Sequence, residues 1–222
     1  MKHASTQALY AYWNSLRNDR PAPERQEIEP SDIRRLLGDT FILEAMGSDK
    51  FIYRLAGTRL CSLYCRELKG RDFLTGWEGK DSNAIATMLN AVSQEAAAAV
   101  VGIDGLNLRK KSVPLEMILL PLEVHGEGYK RILGTCVPMS QPYWMGIHPL
   151  TNLSISSLRL IWPDERPHYY KERSGQSAEI DLVDRSLSGS AIPPIPTDME
   201  PAVPDNARKI AHLVVYDGGR AD

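Results

Sequence analysis

Apolar positions along the chain change period several times, and each change marks an element. Leu9, Tyr12, Trp13 and Leu16 recur at helical spacing, which predicts an amphipathic helix over 5–18 with Ser5 or Thr6 as its cap. Pro21 and Pro23 end it, since neither can continue a helix. A second short helix is expected at Ile33-Arg34-Arg35-Leu36-Leu37, capped by Ser31 and stopped by Gly38. Two short β-rich runs follow, Thr40 to Ala45 and Lys50 to Leu55, joined by Met46-Gly47-Ser48-Asp49, so a hairpin is predicted. From Thr58 to Glu67 the period lengthens again and places Leu60, Leu63 and Tyr64 on one face of a short helix. Ile85, Met88, Leu89 and Val92 mark a longer, alanine-rich helix over 81–98. Three strands are read at 100–109, 113–122 and 129–139, the last two turning at Gly126-Glu127-Gly128, and 152–162 is a further strand or extended segment. Two strands, a helical middle and more strands predict an antiparallel α+β domain, not a βαβ winding.

Composition narrows the function classes. The 222 residues are 43% hydrophobic and 24% charged, with a net charge of −2, ample for a hydrophobic core. A pI near 6.2 argues against binding nucleic acid through bulk charge. Residues 1–163 hold 19 basic and 17 acidic side chains, a net +2; residues 164–222 hold 7 and 11, a net −4. Five prolines fall between Pro193 and Pro204. One body and one acidic tail is the resulting division. With no secretory leader pattern, no long apolar run for membrane insertion and three cysteines without a CxxC, the chain reads as cytoplasmic.

The stretch RLAGTRLCSLYCRELKGRDF (54–73) resembles a segment of PAS domains in which a strand ends, a short helix follows and a phrase of the type Arg-Glu-Glu-Leu-x-Gly-x-x-Phe comes next. Here that phrase is Arg66-Glu67-Leu68-Lys69-Gly70-Arg71-Asp72-Phe73. More narrowly, YWNSLRNDRPAPERQEIEPSDIRRLLGDTFILE (12–44) and FIYRLAGTRL (51–60) are similar to phrases of a mostly alphaproteobacterial group of single-domain PAS proteins, some linked to motility and cell-cycle regulation. The resemblance covers roughly 5–163. It implies a five-stranded antiparallel sheet flanked by helices: an N-terminal helical cap over 1–38, a PAS core over 39–163, and a tail over 164–222. That tail is expected to be a largely flexible tether with one short strand near 210–217. One departure stands out. Many PAS domains carry glycine after the short helix, where this chain has Tyr64-Cys65-Arg66; if the backbone there takes positive φ, cysteine bears a steric cost that glycine avoids.

No catalytic set emerges, and the chain is read as a non-enzyme. Cys61 and Cys65 lie four apart, yet no histidine occurs between His3 and His125 to complete a metal site, so core packing is their expected role. Flavin adduct chemistry needs a thiol just after the Gly70 turn, and Arg71-Asp72-Phe73-Leu74 has none; haem would need an atypical ligand such as Met88. No cofactor is expected, while a small-molecule ligand of unknown identity stays open. Asp104-Gly105 is read as a bulge or turn, and Arg34-Arg35 and Arg109-Lys110-Lys111 as solvated basic runs. The candidate pocket, implied by the fold, takes Tyr53, Arg54, Arg59, Tyr64, Phe73, Trp77, Met88, Met117 and Cys136 as its wall, although a packed core uses the same residue types. The stripe Leu9, Tyr12, Trp13 and Leu16 packs either on its own sheet or against a second copy, making a homodimer interface the sharper expectation. The function expected is a sensory or regulatory module in signal transduction that binds a ligand, a signalling protein or both. A pure interaction or dimerisation scaffold and an enzyme of unrecognised class are the alternatives.

Overall fold

The computed structural model describes residues 1–163 together with the backbone of 207–210 and 213–216. Its centre is one antiparallel sheet of six strands: β1 (Thr40–Ala45), β2 (Phe51–Ala56), β3 (Ala98–Asn107), β4 (Ser112–Val124), β5 (Gly128–Pro138) and β6 (Leu150–Ile161). Their spatial order is β2-β1-β5-β4-β3-β6. The expected five-stranded sheet is therefore one strand short. Residues 150–161 form a full strand, held along β3 from Ala98↔Ile161 to Asn107↔Leu150, because a long partner offers them a continuous ladder.

Both faces of the sheet are buried, so its strands read as near-continuous apolar runs. Along β4, Leu115, Met117 and Leu119 face one core, and Ile118, Leu120 and Leu122 face the other. The first face is covered by α2 (Thr58–Leu63), the loop after it and α3 (Gly79–Glu95). The second is covered by α1 (Ala4–Arg17) and the irregular segment that follows it. That segment contains a 3₁₀ turn at Arg25–Glu27, and residues 30–39 form successive turns where a helix was expected. Asp104 and Gly105 also differ from expectation, since they pair regularly with Pro114 and Val113 inside β3.

α1 is fastened at both ends. At its start the N-cap is His3, whose Nδ1 accepts the Ser5 N–H. Buried Glu116, from β4, accepts the backbone N–H groups of Lys2 (2.6 Å) and His3 (2.8 Å) and the Thr6 hydroxyl. A carboxylate at that position also meets the positive end of the helix dipole. One turn before the end, the Trp13 indole N–H donates to the Pro121 carbonyl at 2.8 Å, with the Arg17 guanidinium 5.4 Å from its ring.

Both sheet edges are occupied near the helical face. Residues 70–73 bond along β2 through Tyr53 N–H to Arg71 O, Gly70 N–H to Tyr53 O and Phe73 N–H to Phe51 O. On β6, Leu153 N–H reaches Gly76 O, and Ile155 N–H reaches the Asp81 carboxylate at the start of α3. In the tail, two antiparallel strands, β7 (Ala207–Ile210) and β8 (Leu213–Tyr216), form a separate hairpin that lies beside β6. A single strand near 210–217 was expected there; the expected flexible tether over 164–205 lies outside the described residues.

Candidate functional site

The space between the sheet and the helical middle is where a ligand pocket was expected, and aromatic rings fill it. Phe41 on β1 meets Tyr53 on β2 edge-on at 5.8 Å and stacks on Phe73 at 5.9 Å. Tyr53 lies 5.5 Å from Phe73, which in turn lies 6.3 Å from Trp77. Such rings bury large area and prefer these offset and edge geometries. Met88, Met117 and Cys136 pack into the same core. Six of the nine expected wall residues are thus brought together as core, and Tyr64 packs against it from the rim.

What remains open is a cleft of ≈ 40 Å³ lined by Tyr53, Tyr64, Arg66, Leu68, Arg71, Asp72 and Thr75. That is space for a few waters, against the roughly 300–1,000 Å³ of cofactor and drug-sized sites. A flavin or haem does not fit between these rings. Arg54 and Arg59 do not line the cleft. Arg54 pairs with Glu44 at 3.3 Å, and Arg59 makes a bidentate pair with Asp39 at 2.8 and 2.7 Å while also bonding Arg35 O. Arg66, Leu68, Arg71, Asp72 and Thr75 were missed by the pocket expectation. Their only signal was membership of the loop after the short helix.

The cleft sets two tyrosines that burial keeps neutral beside the charged side chains of Arg66, Arg71 and Asp72. Burial pushes the Tyr53 hydroxyl well above its ordinary value, and proximity to Tyr64 adds to it. Burial raises Tyr64 likewise, with Cys136 next in effect and Arg66 opposing. Neither hydroxyl has a hydrogen-bond partner among the described residues. The Cys136 thiol is pushed up to about 12, chiefly by burial and then by the Asp39 charge, so it stays protonated and unreactive. The Trp77 indole N–H is buried and unpartnered among the described residues.

The loop into this site explains the Tyr64-Cys65-Arg66 departure. α2 closes in a Schellman motif: Cys65 N–H bonds Ser62 O, and Arg66 N–H bonds Cys61 O. That geometry needs a left-handed residue, and Cys65 takes φ 49°. α2 also begins in close contact, at Gly57, where an added Cβ would collide with the carbonyl oxygens of Leu37 and Gly38.

The interface stripe has separate fates. Leu9 and Trp13 are buried on the chain's own sheet, while Tyr12 and Leu16 pack at its margin and stay half-buried. Among the described residues, no group of three His, Cys, Asp or Glu side chains is placed to hold a metal ion, and no helix is long and apolar enough to cross a membrane.

A family model for the PAS domain matches residues 1–137. Comparison with curated proteins gave no match. Solved structures with a similar course include the LOV protein of Rhodobacter sphaeroides, at 10% identity over 52% of this chain and 71% of that one, with a TM-score of 0.39. The LOV domain of the blue-light photoreceptor aureochrome1 gives 14%, 50%, 82% and 0.39. A blue-light activated histidine kinase of Erythrobacter litoralis gives 16%, 46%, 33% and 0.37.

Proposed function

The chain belongs to the PAS-domain family, and from that premise we propose that it is a cytoplasmic, non-enzymatic regulatory module of signal transduction that works through its surfaces. The observation carrying this reading is the filled core. Phe41, Tyr53, Phe73 and Trp77 occupy the volume a planar cofactor would need, leaving ≈ 40 Å³. A ligand can shift a conformational equilibrium only by its differential affinity for two states, and a core this full offers little to bind differentially. A partner protein on the outside meets no such limit. The similarity of 12–44 and 51–60 to phrases of the alphaproteobacterial single-domain PAS group supports a regulatory reading of this kind.

The deciding experiment is native mass spectrometry and an absorption spectrum of gently purified full-length chain, followed by quantitative partner capture in its own cell. The expected result is a bare-chain mass, no absorption above the aromatic band, and one signalling protein recovered in fixed ratio. A retained flavin, haem or metabolite sinks the reading.

A homodimer through the N-terminal helix would use Tyr12 and Leu16, the members of the stripe left half-exposed. Sedimentation velocity across a concentration series tests it: Leu16→Glu should abolish any association, and a wild-type coefficient that stays at the monomer value at every concentration rejects pairing.

The cleft supports a second, narrower reading. Two unpartnered tyrosine hydroxyls beside Arg66 and Arg71 suit a small anion. Thermal shifts with formate, nitrate and phosphate should then depend on Arg66, and a response unchanged in Arg66→Ala discards the idea.

A further inference from the structure

One end of the sheet carries an apolar and basic tip that nothing above uses. It is built from the β3–β4 turn and the β5–β6 loop, whose bases are tied by Met139 N–H to Pro114 O and by the Thr151 hydroxyl to Leu106 O. Leu108 is 80% exposed, Tyr143 86% and Ile147 66%. Arg109, Lys110 and Lys111, which follow Leu108 on the β3–β4 turn, are exposed and form no ion pair among the described residues.

These side chains are displayed on rigid backbone. The buried Asn107 side-chain oxygen accepts the N–H groups of both Arg109 (2.9 Å) and Lys111 (3.0 Å), and Lys110 sits at φ 56° between them. On the other loop, Trp144 is buried as an anchor, and its carbonyl accepts from Ile147 and His148. Neither 105–115 nor 138–150 contains an acidic residue. Exposed apolar groups held this way mark an interaction surface, and the unpaired cations specify an acidic occupant.

We propose that this tip is the docking site for the chain's own segment 179–184. That segment reads Glu179-Ile180-Asp181-Leu182-Val183-Asp184, three carboxylates interleaved with three aliphatic side chains. Its chemistry is the complement of three cations, Arg109, Lys110 and Lys111, displayed at the same end of the sheet as exposed Leu108, Tyr143 and Ile147. The tether is long enough. Pro163 follows the end of β6, and the tip lies at the strand's other end, beside Leu150, about 36 Å away at a strand's rise per residue. Residues 164–178 span at most about 50 Å when extended. The tail also comes back to β6, because β8 lies beside that strand. Anchored at both ends near the same strand, the segment meets the tip at a high effective concentration. The docking stands apart from the choice of signalling partner or ligand, so its failure leaves the regulatory reading standing.

Zero-length carbodiimide cross-linking of the full-length chain at physiological salt tests it, using mixed isotope-labelled and unlabelled protein. The expected products join Lys110 or Lys111 to Glu179, Asp181 or Asp184 within one copy. They should fall at least tenfold in Leu108→Ser/Ile147→Ser, which keeps every lysine and touches only exposed side chains. Hydrogen exchange over 177–187 should speed up in the same variant. Cross-links spread evenly over the tail's carboxylates, or absent from 179–184, overturn the proposal. Mixed-isotope products would assign the tip to a second copy instead, and binding of the wild-type tip to phosphatidylserine vesicles without internal cross-links would assign it to lipid.

Discussion

Cys65 shows how a single residue can carry a cost that its neighbours impose. The Schellman closure of α2 dictates a left-handed residue at this position, and a side chain with a Cβ is disfavoured there by about 1–2 kcal/mol. Glycine gives back part of that through its larger unfolded-state entropy. Cys65→Gly should therefore raise stability by about 0.5–1 kcal/mol, read as a higher denaturation midpoint; an unchanged or lower midpoint would refute the strain. Glu116 is the converse, a buried charge fully provided for. Burial alone would raise its pKa, but the hydrogen bonds from Thr6, His3 and Lys2 hold it below the ordinary carboxylate range. A depressed carboxylate contributes stability above its unfolded pKa of about 4.3, and that contribution fades as pH falls through the lower folded value. Glu116→Gln should melt below wild type at pH 7, and the gap should narrow on acidification toward pH 3. A gap independent of pH would mean that the charge does not matter.

At the scale of elements, the chain joins its pieces through a few close approaches. α2 starts against the carbonyls of Leu37 and Gly38, and only glycine at 57 permits it. Gly57→Ala must push α2 off the 37–38 segment, and the Arg59–Asp39 pair with it. The expected outcome is a loss of several kcal/mol, with the Arg59 and Asp39 resonances shifting together; a variant of wild-type stability would show that the approach is looser than described. The elements themselves were largely legible beforehand. The period-3.6 stripe of α1, the β1–β2 hairpin, α3 and the Gly126 turn all lie within a few residues of their expected places. Residues 30–39 were not, because capping and glycine signals suit a turn series as well as a short helix. The strand or extended segment read at 152–162 is β6, but its place as a sixth strand of the sheet was missed, since an edge strand is defined by the ladder its neighbour offers.

For the whole molecule, the decisive fact is how the two faces of the sheet are filled. The aromatic plug replaces a chamber, so removing its centre should be expensive. Phe73→Ala is expected to cost about 3–5 kcal/mol and to open a cavity beside the ≈ 40 Å³ cleft. A small apolar probe such as benzene should then raise the variant's melting temperature but not that of wild type. If wild type responds as strongly, the core is less full than its geometry says. The candidate site was half legible. Tyr53, Tyr64, Phe73, Trp77, Met88, Met117 and Cys136 do converge, whereas Arg54 and Arg59 are committed to Glu44 and Asp39.

The sequence by itself determined the order of elements, the PAS resemblance, the unusual cysteine at position 65 and the division into a near-neutral body and an acidic tail. These follow from local periodicity, turn chemistry and charge, which a one-dimensional chain displays directly. Only the tertiary structure decided that the expected pocket is packed shut, that Leu9 and Trp13 are spent on the chain's own sheet, and that two distant loops form one apolar and basic tip. A core wall and a cavity wall use the same residue types, and so do a buried stripe and an interface. What separates them is which side chains meet across space, and that is fixed only when the strands pair.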